Sequence, residues 1–113
     1  MDYLAGIDLG STSLKCVIYD LAGNVVASGS RPTERYNPYP DHSEWTVWQP
    51  EQILGDTAAA IKDAVAKLGD PLQIKALAVT GMGMDGVPID EHGNWLYPVL
   101  KPVSHQLYDQ FRA

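Results

Sequence analysis

Apolar and polar positions alternate early in the chain, and the period then changes. Tyr3 to Ile7 is a short apolar run closed by Asp8, as a buried strand would be. Ser13 to Tyr19 puts Leu14, Cys16 and Ile18 on one face and Lys15, Val17 and Tyr19 on the other, the two-residue period of a strand. The link from Asp8 to Thr12 is short enough to make these runs antiparallel neighbours. Asp20-Leu21-Ala22-Gly23-Asn24 then reads as a turn into a third strand that begins over Val25 to Ser28. The opening is predicted to be a three-stranded meander without a helix.

From Arg31 to Gln49 prolines and aromatics interrupt any period, and the spacing predicts a long loop, a kind of segment that usually covers or functions. Trp45 and Trp48 are expected to anchor it to the body of the domain rather than to meet a ligand. Gln49-Pro50-Glu51 is a helix start, because proline is preformed for the first helical position and an acid there complements the dipole. Ile53, Leu54, Thr57, Ile61, Ala64, Val65 and Leu68 recur at threes and fours, predicting an amphipathic helix that Gly69 ends. Ile74 to Thr80 is nearly all apolar, which predicts a central strand buried on both faces and parallel to an earlier one. Beyond its carboxyl end, where open sheets gather ligands, Gly81 to Gly86 contains three glycines and one charged residue, Asp85. Val87 to Asp90 and Trp95 to Pro98, joined by Glu91-His92-Gly93-Asn94, are predicted to form a hairpin. The fold class is α/β.

Composition narrows the partners. The 113 residues suffice for one modest domain, and 45% hydrophobic with 19% charged residues is ordinary for a globular protein. A net charge of −6, with the eight Lys and Arg scattered, argues against a nucleic-acid or anionic-membrane partner. Cys16 stands alone and falls with Leu14 and Ile18, so it reads as core packing in a reducing compartment. No run reaches the roughly 20 apolar residues of a membrane span, and no leader pattern opens the chain. The expected location is cytoplasmic.

The stretch Ile7-Asp8-Leu9-Gly10-Ser11-Thr12-Ser13-Leu14-Lys15 carries the most chemistry. Gly10 permits a backbone conformation that a side chain would resist. The amides and hydroxyls of Ser11, Thr12 and Ser13 can donate to oxygen anions, and Lys15 adds a point charge. On spacing alone a second account stands equally: Asp8 capping a turn, Gly10 and the hydroxyls forming an ordinary tight turn, Lys15 solvated, and Asp85 closing a turn before the hairpin. His42, His92 and His105 lack metal-ligand spacing and are assigned no chemistry.

Taken in order, Asp8-Leu9-Gly10-Ser11-Thr12-Ser13, Tyr19-Asp20, Gly23-Asn24, the tryptophan-containing loop, the Pro50 helix, Ala78-Val79-Thr80-Gly81 and Asp90-Glu91-His92-Gly93-Asn94 resemble the start of the FGGY carbohydrate kinases. The resemblance covers about Tyr3 to Pro98. It implies an incomplete ribonuclease-H-like fold of the actin, sugar kinase and Hsp70 superfamily: the meander, a helix and a further central strand. Met84-Asp85-Gly86-Val87, Trp45, Trp48 and Trp95-Leu96-Tyr97-Pro98 look most like the L-fuculokinase branch.

What the resemblance implies is ATP and Mg2+ as cofactors and a small sugar as substrate. Asp8 would lie near the metal and phosphates, Gly10, Ser11, Thr12, Ser13 and Lys15 would line the phosphate hairpin, and Asp85 would hydrogen-bond sugar hydroxyls. The family's tryptophan and arginine after Pro98 are absent, so residues 1–98 are read as the N-terminal part of the first lobe and 99–113 as a tail departing from the pattern. FGGY kinases are several times longer, with the catalytic aspartate downstream, so no catalytic base is nominated. Two expectations follow: the N-terminal portion of an ATP-dependent sugar kinase, acting on an L-fuculose-like ketose, or a catalytically inactive truncated fragment that persists as a small folded module or self-associates through an unfinished sheet edge.

Overall fold

The computed structural model describes residues 1–35, 37, 39–44, 46–82, 89–94 and 99–100. In chain order the elements are β1 (Tyr3–Leu9), β2 (Ser13–Asp20), β3 (Val25–Pro32), β4 (Val47–Trp48), α1 (Pro50–Val65), a 3-10 turn (Pro71–Gln73), β5 (Ile74–Gly81) and β6 (Val99–Leu100). The chain divides into two compact units, residues 1–33 with 54–82, and residues 34–53 with 83–113.

In the first unit the predicted meander is present. β1 pairs antiparallel with β2 from Tyr3↔Asp20 to Leu9↔Leu14, and β2 pairs antiparallel with β3 from Ser13↔Pro32 to Tyr19↔Val25. The turn between β2 and β3 is tied by Asp20, whose Oδ1 accepts from Ala22 N–H at 3.0 Å and Asn24 N–H at 2.8 Å. Gly23 there has φ of 88°, the left-handed region that glycine enters without a Cβ penalty. β3 runs on to Pro32, so the loop predicted from Arg31 begins later than its proline-rich composition suggests.

Ala5, Ile7, Cys16, Ile18 and Ala27 face α1 and form the core with Ala64, and Ile61, Val65 and Leu68 pack against them. Leu14 and Ile18 are fully buried, and each such side chain stabilises by about 1.5–3 kcal/mol. The helix starts at Pro50 as predicted, with Ile53 N–H donating to Gln49 O at 3.0 Å. Its last turn tightens, Leu68 N–H donating to Val65 O at 2.9 Å. Leu54, placed in the apolar stripe by spacing, is 59% exposed, whereas Ala60 is buried. The small residue wins because β3 approaches α1 closely: a Cβ on Gly29 would lie 2.9 Å from Asp63 Cβ and 3.0 Å from Ala64 N. The same seam is tied by Arg31 donating to Asp63 and by Lys67 Nζ donating to Ser28 O at 2.5 Å.

β5 corrects one expectation. It is parallel to β1, with Ala5↔Leu77 and Ile7↔Val79, but it is the edge of the described sheet, whose order is β3-β2-β1-β5. Leu77 and Val79 share the face of buried Ala5 and Ile7 yet are 63% and 57% exposed. Among the described residues the core cluster takes its strand residues from β1, β2 and β3, and from β5 only Ile74 packs against it, so a sequence that reads as doubly buried is uncovered here.

In the second unit β4 pairs antiparallel with β6, Val47↔Leu100 and Trp48↔Val99. Trp48 is 1% exposed, as an anchor would be. The Asp90–Asn94 turn repeats the chemistry of Asp20–Asn24: Asp90 Oδ1 accepts from His92 N–H at 2.8 Å and Asn94 N–H at 2.9 Å, and Gly93 has φ of 81°. The strands predicted to flank this turn, and Trp45, lie outside the described residues except for Ile89 and Asp90. So do residues 101–113 of the tail.

Candidate functional site

Both pairings of β1 converge on one residue. Asp8 is the antiparallel partner of Lys15 on β2 and the parallel partner of Thr80 on β5. Paired residues share a face, with Cβ atoms about 4.5–5.5 Å apart across an antiparallel pair, so lysine, carboxylate and hydroxyl form a row across three strands. The row lines an open groove of about 350 Å3 on the sheet face away from α1, together with Gly6, Val17 and Tyr19. Asp8 and Lys15 are both exposed, and among the described residues neither has a hydrogen-bond or ion-pair partner. Their polar ends are therefore uncommitted.

Next to the row, β1 and β2 are joined by the Gly10–Ser13 loop. Gly10 N–H donates to Ser13 O at 3.0 Å. The expectation that Gly10 supplies a conformation barred to other residues is not met, since its φ is not positive. The glycine is required by proximity instead: a Cβ there would lie 2.8 Å from Ser13 O. Ser11 and Thr12 are exposed at the tip, and among the described residues their backbone N–H groups donate to no acceptor.

The loop is held from β3 by a residue that sequence reasoning missed. Thr33 N–H donates to Thr12 O at 2.9 Å, and Thr33 Oγ1 donates to Gly10 O at 2.6 Å. Thr33 is 7% exposed, the one buried polar residue among the described residues. Its separation from Gly10 in sequence gives no local signal. Thr80 was missed too, although its place at the end of an apolar strand was a usable one.

The structure thus brings Asp8, Gly10, Ser11, Thr12, Ser13 and Lys15 together in the first unit. Asp85 lies outside the described residues, as does Met84. Asp8 is a single carboxylate, and no group of three or more His, Cys, Asp or Glu gathers as a metal cage among the described residues. This donor set fits a magnesium ion held mainly by water and phosphate oxygens, as magnesium commonly is. An anion would find two free N–H groups, three hydroxyls and a lysine. Cys16 is buried in the core, and burial pushes its thiol pKa up, away from reactivity. No helix among the described residues is long and apolar enough to cross a membrane.

Known proteins are similar to this chain in sequence and fold. The glycerol kinase of Citrifermentans bemidjiense is 37% identical over 81 residues, covering 71% of this chain and 16% of that protein. The L-fuculokinase of Escherichia coli strain K12 is 29% identical over 94 residues, covering 83% of this chain and 20% of that protein. Among solved structures, the xylulose kinase of Rhodospirillum rubrum superposes with a TM-score of 0.75 at 28% identity, over 88% of this chain and 20% of that one. The chain therefore spans a fifth or less of the length of these relatives. Its mixed sheet and helix are part of the actin, hexokinase and ribonuclease-H-like fold that such sugar kinases have. The description "FGGY family of carbohydrate kinases, N-terminal domain" matches residues 3–107, and the chain belongs to that family.

Proposed function

We propose that this chain supplies a phosphate-holding hairpin and part of the sugar site of an ATP-dependent sugar kinase. The observation that carries the reading is the pairing of the Asp8–Lys15 row with a loop tip whose Ser11 and Thr12 amides have no acceptor among the described residues. Phosphoryl transfer asks chiefly for positioning and charge neutralisation. Ser11, Thr12 and Ser13 would donate to phosphate oxygens, and Lys15 would add positive charge beside them. Asp8 would accept from water molecules around magnesium, which when bound neutralises phosphate charge. Asp85 would accept from sugar hydroxyls. None of these residues is assigned as the base that removes the sugar's proton.

For the acceptor we take an L-fuculose-like ketose, on the Met84-Asp85-Gly86-Val87 sequence and the likeness to L-fuculokinase. The likeness to glycerol kinase and xylulose kinase makes glycerol and D-xylulose the competing acceptors. The buried thiol of Cys16 suits a cytoplasmic, reducing setting. A coupled assay of ATP-dependent phosphorylation with L-fuculose, L-rhamnulose, D-xylulose and glycerol tests the assignment. The 113-residue chain should turn over none of them, and a kinase containing it should favour L-fuculose. Preference for glycerol or D-xylulose would reassign the substrate.

One observation favours a second reading for the 113 residues by themselves. The apolar edge strand β5 is unpaired on its outer side among the described residues, and such edges recruit further strands. On this reading the chain is an inactive module that self-associates through β5. Turnover of any sugar by the purified chain would exclude it.

A further inference from the structure

In the Gly10–Ser13 loop three of the four carbonyls accept a hydrogen bond, whereas the Ser11 and Thr12 amides donate to no acceptor among the described residues. Gly10 O accepts from Thr33 Oγ1 at 2.6 Å, Thr12 O from Thr33 N–H at 2.9 Å, and Ser13 O from Gly10 N–H at 3.0 Å. The N–H groups of Ser11 and Thr12 have no acceptor among the described residues. A backbone concavity favours an anion when its amides point at the ligand and its carbonyls are turned to other partners, because a carbonyl oxygen repels a phosphate oxygen whereas an amide attracts it. Two of the three occupied carbonyls are held by one residue, and that residue is buried at 7% exposure. A hydroxyl can be placed there only because a carbonyl takes its proton, since an unmatched buried hydroxyl is costly.

We propose that Thr33 is the positioning residue of the anion site: it fixes the two loop carbonyls and so leaves Ser11 and Thr12 amides to receive a phosphate group. The proposal rests on the phosphate-holding role given to the hairpin above. Thr33 does not touch the ligand; it acts through Gly10 and Thr12. It also ties the loop to the end of β3, whose Arg31 is joined to Asp63 of α1. The hairpin is thereby referred to the sheet on both sides rather than hanging from β1 and β2 alone.

The test uses the isotopically labelled 113-residue chain titrated with inorganic phosphate and then with ATP, following the Ser11 and Thr12 amide signals. Thr33→Val keeps the β-branched shape and the N–H bond but removes the hydroxyl bond. Thr33→Ser keeps both bonds. Asp63→Asn loosens the same strand at a distance and serves as a control for general softening. Wild type, Thr33→Ser and Asp63→Asn are expected to bind alike. Thr33→Val should bind roughly two- to tenfold more weakly, the range that one neutral hydrogen bond commands. Equal affinity of Thr33→Val and wild type would overturn the role of Thr33 and leave the hairpin reading intact. Weakening by Asp63→Asn to the same extent as Thr33→Val would reduce Thr33 to a structural residue. No response of Ser11 or Thr12 in wild type to either anion would instead remove the phosphate reading itself. If Thr33→Val does not fold, affinity lost in Thr33→Ser would contradict the proposal, because the hydroxyl is retained.

Discussion

The guanidinium of Arg31 on β3 donates to the carboxylate of Asp63 on α1, across the point where Gly29 lets strand and helix approach most closely. The side chains stay 38% and 45% exposed, so the pair behaves as a surface ion pair whose main effect is to fix direction. Strand and helix are far apart in sequence, and this seam sets which face of the sheet α1 covers. The opposite face, with Asp8 and Lys15, is left open.

The seam predicts opposite outcomes for two glycine substitutions. Gly29→Ala puts a methyl group against Ala60 O, with Asp63 Cβ at 2.9 Å and Ala64 N at 3.0 Å, and backbone cannot yield as a side-chain tip can. The expected cost is about 1–3 kcal/mol, the usual range for overpacking. Gly55, inside α1 and exposed, has nothing within 4 Å of a built Cβ, so Gly55→Ala should stabilise by about 0.5–1 kcal/mol through helix propensity. Urea denaturation of both variants checks the pair. A neutral Gly29→Ala would mean that the seam is looser than described.

Among the described residues, three carboxylates sit below their ordinary range in the folded chain. Asp63 is lowered chiefly by the hydrogen bond from Arg31, Asp20 by the side chain of Asn24, and Asp90 by the backbone N–H of Asn94. A depressed folded pKa adds stability that is fully present above the unfolded value, about 3.9 for aspartate, and is lost as pH falls through the folded value. Melting temperature should thus be level above about pH 5 with respect to these groups and should fall below about pH 4. Asp63→Asn should lower the neutral-pH plateau and shallow the acid limb. A melting temperature that rises on acidification from pH 5 to pH 3 would contradict the assignment of these groups.

Much of this was legible in the sequence, for local reasons. Alternation in Ser13 to Tyr19 and the Asp20–Asn24 turn chemistry fix the meander, and Pro50 fixes the helix start, because each signal lies within a few residues of its effect. What escaped depends on partners distant in sequence. Gly29 and Ala60 matter only once β3 meets α1, and Thr33 matters only once β3 has returned beside the Gly10 loop. The apolar run of β5 reports an affinity for burial, not its occurrence, so it could not show that Leu77 and Val79 lie exposed. Asp8 and Lys15 were found separately; only the register shows them to be partners.

The exposure of β5 has a consequence in solution. If its edge recruits a second copy, sedimentation of the 113-residue chain should show mass rising with concentration. Leu77→Lys, at a 63% exposed position, should return it to monomer without loss of fold. A wild-type chain that remains monomeric over a hundredfold concentration range would exclude self-association through β5.

The row of Asp8, Lys15 and Thr80 beside the Ser11–Thr12 tip is the centre of the account, and Mn2+ with ATP probes it directly. Manganese broadens the amide signals nearest to it in the labelled chain. Selective broadening at Asp8, Ser11, Thr12 and Lys15, weakened at least several-fold in Asp8→Asn, is the predicted result. Broadening confined to other acidic positions, or unchanged in Asp8→Asn, would contradict it.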